Sequence, residues 1–161
     1  MNGDRGDLLV AAIGNPDRGD DGVGPAVARK IKRRASAGVR VIECSDILGL
    51  IDEWMGCAAA ILVDASEAAG HPGRIRRLDL IDSRLPADFA PNSTHAFGLA
   101  ETIELARALG QLPQRLVAYL IEGERFEIGA ALSPRVAAAS ESAEAAIFAE
   151  LAQIGEADQP D

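Results

Sequence analysis

The stretch LLVAAIGNPDRGDDGVG, residues 8–24, decides the fold. Its first six residues are all apolar and end at Gly14. A strand with one wet face would alternate, so an unbroken run reads as a strand buried on both faces, the kind found in parallel sheets. Residues 23–37 follow with Val23, Val27, Ala28 and Ile31 at helical spacing and basic residues near the end. That is an amphipathic helix whose charges suit the helix dipole. Strand, glycine-rich turn and helix form the first half of a βαβ unit.

Working outward, the same alternation continues. Residues 39–43 and 59–63 read as further strands, the second stopping at Asp64, with a short helix at 48–55 between them. His71-Pro72-Gly73 is a turn in which His71 faces solvent. Residues 74–80 alternate arginine with apolar side chains, which predicts a strand with one wet face at a sheet edge. A loop carrying Pro86 and Pro91 leads to a helix at 98–109, then a strand at 116–121. Ser133-Pro134 opens a long alanine-rich helix to about residue 154, with serine at the N-cap and proline at the first helical position. The order β-α-β-α-β-β-α-β-α predicts a single α/β domain over residues 1–161. It is a three-layer sandwich with a mostly parallel sheet, an ordered core at about 7–154 and frayed termini.

Composition bounds the function. The chain has 161 residues, 48% of them hydrophobic and 25% charged, enough to bury one core. Its net charge of −9 argues against a nucleic-acid partner, which demands a basic face, and against docking on anionic lipid. The N-terminus has no signal-peptide pattern, and no apolar run approaches a membrane span. Two cysteines, Cys44 and Cys57, make no disulfide framework, so a reducing cytoplasm is the expected compartment.

In open parallel sheets, ligands bind at the carboxyl ends of the strands. That edge collects residues 14–24, Cys44-Ser45-Asp46, Asp64, Thr94-His95 and Glu122-Gly123-Glu124-Arg125. The GDDGVG run is not GxGxxG, and adjacent carboxylates repel a pyrophosphate, so the pattern argues against a dinucleotide site. Asp20 and Asp21 read either as a turn with a helix cap or as site acids. Asp64 is either an Asx-turn residue or a carboxylate at a strand tip. His95 is either a surface residue ahead of a helix or a ligand. Asp21, Asp64 and His95 together make a mixed oxygen and nitrogen set suited to a borderline divalent ion, with positions left open. Cys44 offers a rival chemistry, a thiol activated by His95 and oriented by Asp46 or Asp64, against a plain structural cysteine. Cys57 lies in an apolar stretch and reads as packing. Ile47, Leu48, Leu50, Trp54 and Met55 either line a groove beside the site or pack the short helix on the sheet.

These residues resemble the opening signature of the [NiFe] hydrogenase maturation endopeptidases. The likeness runs from the segment at 13–24 through Leu62-Val63-Asp64-Ala65, Pro72-Gly73, Ser93-Thr94-His95-Ala96-Phe97-Gly98-Leu99 and Gly129 to Leu132-Ser133-Pro134, covering about residues 8–151. It implies a five-stranded α/β sandwich. It also implies a hydrolase that removes a C-terminal extension from a [NiFe] hydrogenase large-subunit precursor after nickel insertion. By that resemblance Asp21, Asp64 and His95 are both the catalytic and the metal-contacting residues. Nickel is then supplied by the precursor, and other divalent ions can occupy the site in vitro. Asp21 stands where some members carry glutamate, one methylene longer. Many members have a Gly-Gly-Thr-like turn where this chain has Cys44-Ser45-Asp46-Ile47, which bears on substrate subtype. The loop at 122–126 points to the branch serving cytoplasmic NAD-linked hydrogenases. Two alternatives stay open at this stage: a metal-independent peptidase using Cys44 and His95, and a non-catalytic nickel-binding chaperone for the precursor.

Overall fold

The computed structural model describes residues 7–86 and 98–157. Five strands form one sheet: β1 (Leu8–Ile13), β2 (Val39–Cys44), β3 (Ala59–Ser66), β4 (Ile75–Asp79) and β5 (Arg115–Glu122). Their spatial order is β2-β1-β3-β5-β4. The first four in that order run parallel, and β4 pairs antiparallel with β5 at the edge. The helices are α1 (Val23–Arg34), α2 (Leu50–Trp54), α3 (Leu99–Ala108) and α4 (Pro134–Ala157). A short 3-10 turn at Gly19–Gly22 leads into α1.

The central strands are apolar throughout because both faces of the sheet are covered, and side chains alternate between those faces. Val10, Ile61, Val63, Val117 and Ile121 join Val27 and Ile31 of α1 and Val136, Ile147 and Leu151 of α4 in one core. Leu9, Ala11, Ile13, Leu62, Leu116 and Leu120 join Leu50 and Trp54 of α2 and Leu99 and Ile103 of α3 in the other. This is the expected sandwich. The edge strands β2 and β4 carry Arg40, Glu43, Arg76 and Arg77, charges that discourage further pairing.

Three expectations are corrected, and the open choice at residues 47–55 is settled in favour of packing for three of its five residues. Helix α1 ends at Arg34, because Ala35 is extended and the chain turns into β2 through a Val39 N–H bond to the Ser36 carbonyl. Strand β3 does not stop at Asp64. It continues to Ser66, since Asp64, Ala65 and Ser66 keep pairing with Leu120, Ile121 and Glu122. Ser133 does not spend its hydroxyl on capping α4; it donates to Asp20. Of the groove candidates, Ile47, Leu50 and Trp54 are core residues, and only Leu48 and Met55 are exposed. Trp54 also donates its indole N–H to the Gln111 carbonyl at 2.9 Å, which ties α2 to the segment after α3. Among the described residues, no helix is long and apolar enough to cross a membrane.

Candidate functional site

The loop after β1 is shaped by Gly14. Its φ is +128°, and a Cβ there would stand 2.0 Å from the Asp21 carbonyl oxygen. Only glycine lets the chain fold back this closely over the end of the strand. Asn15 organises the turn that follows: its side-chain oxygen accepts from the Asp17 N–H at 2.9 Å, and its carbonyl accepts from Arg18 N–H at 3.1 Å. The chain then makes the 3-10 turn and enters α1.

The first turn of α1 lies directly on the ends of two strands. A Cβ on Gly24 would stand 2.5 Å from the Ile13 carbonyl oxygen and 2.7 Å from that of Val63. This close approach brings Asp21, three residues earlier, to the carboxyl ends of β1 and β3, where Asp64 lies. Both aspartates are 6% exposed. The Asp21 carboxylate accepts the Asn15 N–H at 2.8 Å. The Asp64 carboxylate accepts the N–H of its own neighbour Ala65 at 2.8 Å. Burial pushes Asp64 well above the ordinary carboxylate range, the negative charge of Asp21 pushes it further, and only the Ala65 N–H opposes them. The two acids therefore form an electrostatically coupled pair that disfavours two negative charges at once.

Asp20 has a different fate. It has no exposed surface. Its carboxylate accepts from the N–H groups of Glu124 at 2.8 Å, Arg125 at 2.9 Å and Ser133 at 2.7 Å, and from the Ser133 hydroxyl at 2.8 Å. Burial alone would raise its pKa, but these hydrogen bonds outweigh burial and hold it below the usual value. The sequence allows Asp20 to be a helix cap or a site acid; in the structure its carboxylate is spent on the loop at 124–133. The signal that would have singled it out is a partner in a loop more than a hundred residues later, which no local pattern carries.

A cleft of about 320 Å³ opens beside the pair, lined by Gly14, Asn15, Pro16, Glu43, Cys44 and Ser45. Neither Asp21 nor Asp64 lines its wall, but Asn15, which holds the Asp21 carboxylate, does. Glu43 is paired with Arg29 at 2.9 Å. Cys44 is half-buried, and its thiol lies 3.0 Å from the Asp46 carbonyl oxygen. Burial pushes that thiol up, and the charges of Asp46, Glu53 and Asp64 add to the rise, so the thiolate is disfavoured. Cys57 is buried in the core beneath α2, as packing. His71 is exposed in its turn, as expected.

His95 lies outside the described residues, with the rest of 87–97. The structure thus brings together two of the three expected site residues. Among the described residues, no group of three His, Cys, Asp or Glu side chains forms a metal-holding cluster. The donor chemistry of the pair still fits a divalent cation, whose charge would relieve the repulsion that raises Asp64.

A family model described as hydrogenase maturation protease matches residues 25–150. No curated protein matches the chain by sequence. Solved structures do. The hydrogenase maturating endopeptidase HybD from E. coli is 25% identical with a TM-score of 0.79, covering 92% of this chain and 94% of that one. The [NiFe] hydrogenase maturation protease HybD from Thermococcus kodakarensis is 25% identical with a TM-score of 0.71, covering 90% of this chain and 98% of that one. An endopeptidase from Escherichia coli, 24% identical with a TM-score of 0.80 and covering 95% and 99% of the two chains, shares the fold.

Proposed function

The chain belongs to the hydrogenase maturation proteases, and from that premise we propose that it removes the C-terminal extension of a [NiFe] hydrogenase large-subunit precursor once nickel has been inserted. The observation that carries this reading is the coupled, buried pair of Asp21 and Asp64 beside an open cleft. Two carboxylates that resist double ionisation are poised for a cation, and the nickel belongs to the substrate. Metal-bearing precursor supplies the missing positive charge on docking, while empty precursor leaves the repulsion in place. His95 is the third contact, by the resemblance of residues 93–99.

In the hydrolysis itself, Asp21 is the general base. It takes a proton from water, which adds to the scissile carbonyl carbon. The carbon–nitrogen bond then breaks and the amine leaves with a proton. Asp64 is the group whose protonation responds to the incoming charge, since its pKa is the one that burial and Asp21 raise. The nickel on the precursor can also polarise the carbonyl. The raised thiol of Cys44 opposes a cysteine mechanism.

The test is the intact mass of a nickel-loaded large-subunit precursor after incubation with the purified chain or with single variants. Wild type and Cys44→Ser remove a C-terminal peptide; Asp21→Asn, Asp64→Asn and His95→Ala do not. Full cleavage by Asp64→Asn and His95→Ala would defeat the reading. A stable complex with no mass loss would make the chain a chaperone instead.

A further inference from the structure

We propose that Asp20 is a positioning residue for Asp21: its buried carboxylate clamps the loop at 14–22 to the loop after β5, and so fixes the backbone that presents Asp21. The inference rests on the protease reading given above.

The two adjacent aspartates divide the work. Asp21 keeps some exposure, and one hydrogen bond from within its own loop, from Asn15 N–H, reaches its carboxylate. Asp20 has no exposure and four donors, three on one oxygen and one on the other. Both oxygens are engaged and neither reaches the surface, so Asp20 is not available to substrate or cation. What it does instead is join two loops. Its own N–H donates to the Arg125 carbonyl at 2.7 Å, and the Gly129 N–H donates to the Asp17 carbonyl at 2.7 Å. The Arg18 guanidinium stands 5.9 Å from the centre of the Phe126 ring. By contrast, the bonds that shape the turn from inside are short-range, Arg18 N–H to Asn15 and Asp21 N–H to Arg18.

The clamp demands a carboxylate. An asparagine at position 20 must turn its NH₂ toward one side. On one side it meets the N–H groups of Glu124 and Arg125; on the other it meets the N–H of Ser133. Either orientation sets donor against donor. Removing the Ser133 hydroxyl is milder, since it deletes one bond of the four.

The experiment measures steady-state cleavage of nickel-loaded precursor and native-state hydrogen exchange for wild type, Asp20→Asn and Ser133→Ala, well below each melting temperature. Supporting residues of this kind cost about 10–100-fold when removed. Asp20→Asn therefore loses about that much kcat, with KM little changed, and Ser133→Ala loses less in the same direction. The amide of Asn15, which holds Asp21, exchanges faster in both variants, while amides of β5 such as Leu120 keep wild-type rates. A merely structural role moves both sets of amides, or neither, and leaves kcat intact. Wild-type kcat and wild-type Asn15 exchange in folded Asp20→Asn would overturn the proposal. If Asp20→Asn does not fold, the same two readouts on Ser133→Ala decide. If wild type fails to cleave the precursor, the protease reading falls, and the Asn15 exchange still decides the clamp.

Discussion

Asp64 is the residue at which the proposed function opposes stability. Its raised pKa means that ionising it costs more in the folded chain than in the unfolded one. The stabilising effect of the proton is complete below the ordinary carboxylate range and is lost as pH rises through the folded value. At neutral pH the metal-free chain bears that cost. Asp64→Asn keeps an oxygen for the Ala65 N–H and removes the repulsion from Asp21. We expect it to raise the melting temperature of the metal-free chain, by about 2–4 °C for each kcal/mol relieved, while cleavage is lost. A calorimetric scan at pH 7 checks this, and a lowered melting temperature would count against it. Cys44→Ser, in turn, keeps cleavage within about twofold, because burial already withholds the thiolate. At this scale the sequence was readable where chemistry is local. Asp64 directly follows an apolar run, Asp21 lies in the loop after another, and both land at the carboxyl edge. Asp20 was not readable, because its bonds to Ser133 span 113 residues.

Helix α1 sets the site's geometry through one close contact. Gly24 lets it rest on the carbonyl oxygens of Ile13 and Val63, where any side chain would intrude. Gly24→Ala should lower stability by about 1–3 kcal/mol, the usual penalty of overpacking, and a denaturant midpoint will show it. Helix α4 is fixed at the β4–β5 side of the sheet. Glu150 accepts from the Tyr119 hydroxyl at 2.8 Å and from Arg77 of the edge strand at 2.6 Å. Burial and the bond to Glu150 push Tyr119 up to about 12. The stability this phenol contributes is full below pH 10, its unfolded value, and is lost as pH rises through about 12. Tyr119 is the sole tyrosine, so absorbance at 295 nm reports it alone. At pH 10.5 the folded chain should show little tyrosinate and the guanidinium-unfolded chain mostly tyrosinate; equal absorbance would contradict the packing of α4. Strands β1, β3 and β5 were legible as apolar runs, and β4 as an edge from its alternating arginines. The continuation of β3 past Asp64 was not, because a charged residue ends an apolar run in sequence but not in a sheet whose neighbour continues to Glu122.

The whole molecule places its chemistry on one edge of a parallel sheet. Alternation of strands and helices gave the layers, since each buried strand needs both faces covered. It did not give the order β2-β1-β3-β5-β4, which depends on which strands meet after the crossovers. Nor did it give the clamp between the loops after β1 and β5. Those loops become neighbours only once both strands have joined the sheet. In the function proposed above the site is one-sided: carboxylates buried on the protein, cation carried by the partner. That asymmetry is the central claim, and one measurement tests it directly. Nickel-loaded and nickel-free forms of the same large-subunit precursor are incubated with the wild-type chain and weighed intact. The account predicts loss of the C-terminal peptide from the nickel-loaded form alone. Equal loss from both forms would mean that the Asp21 and Asp64 pair does not read the metal, and would contradict it.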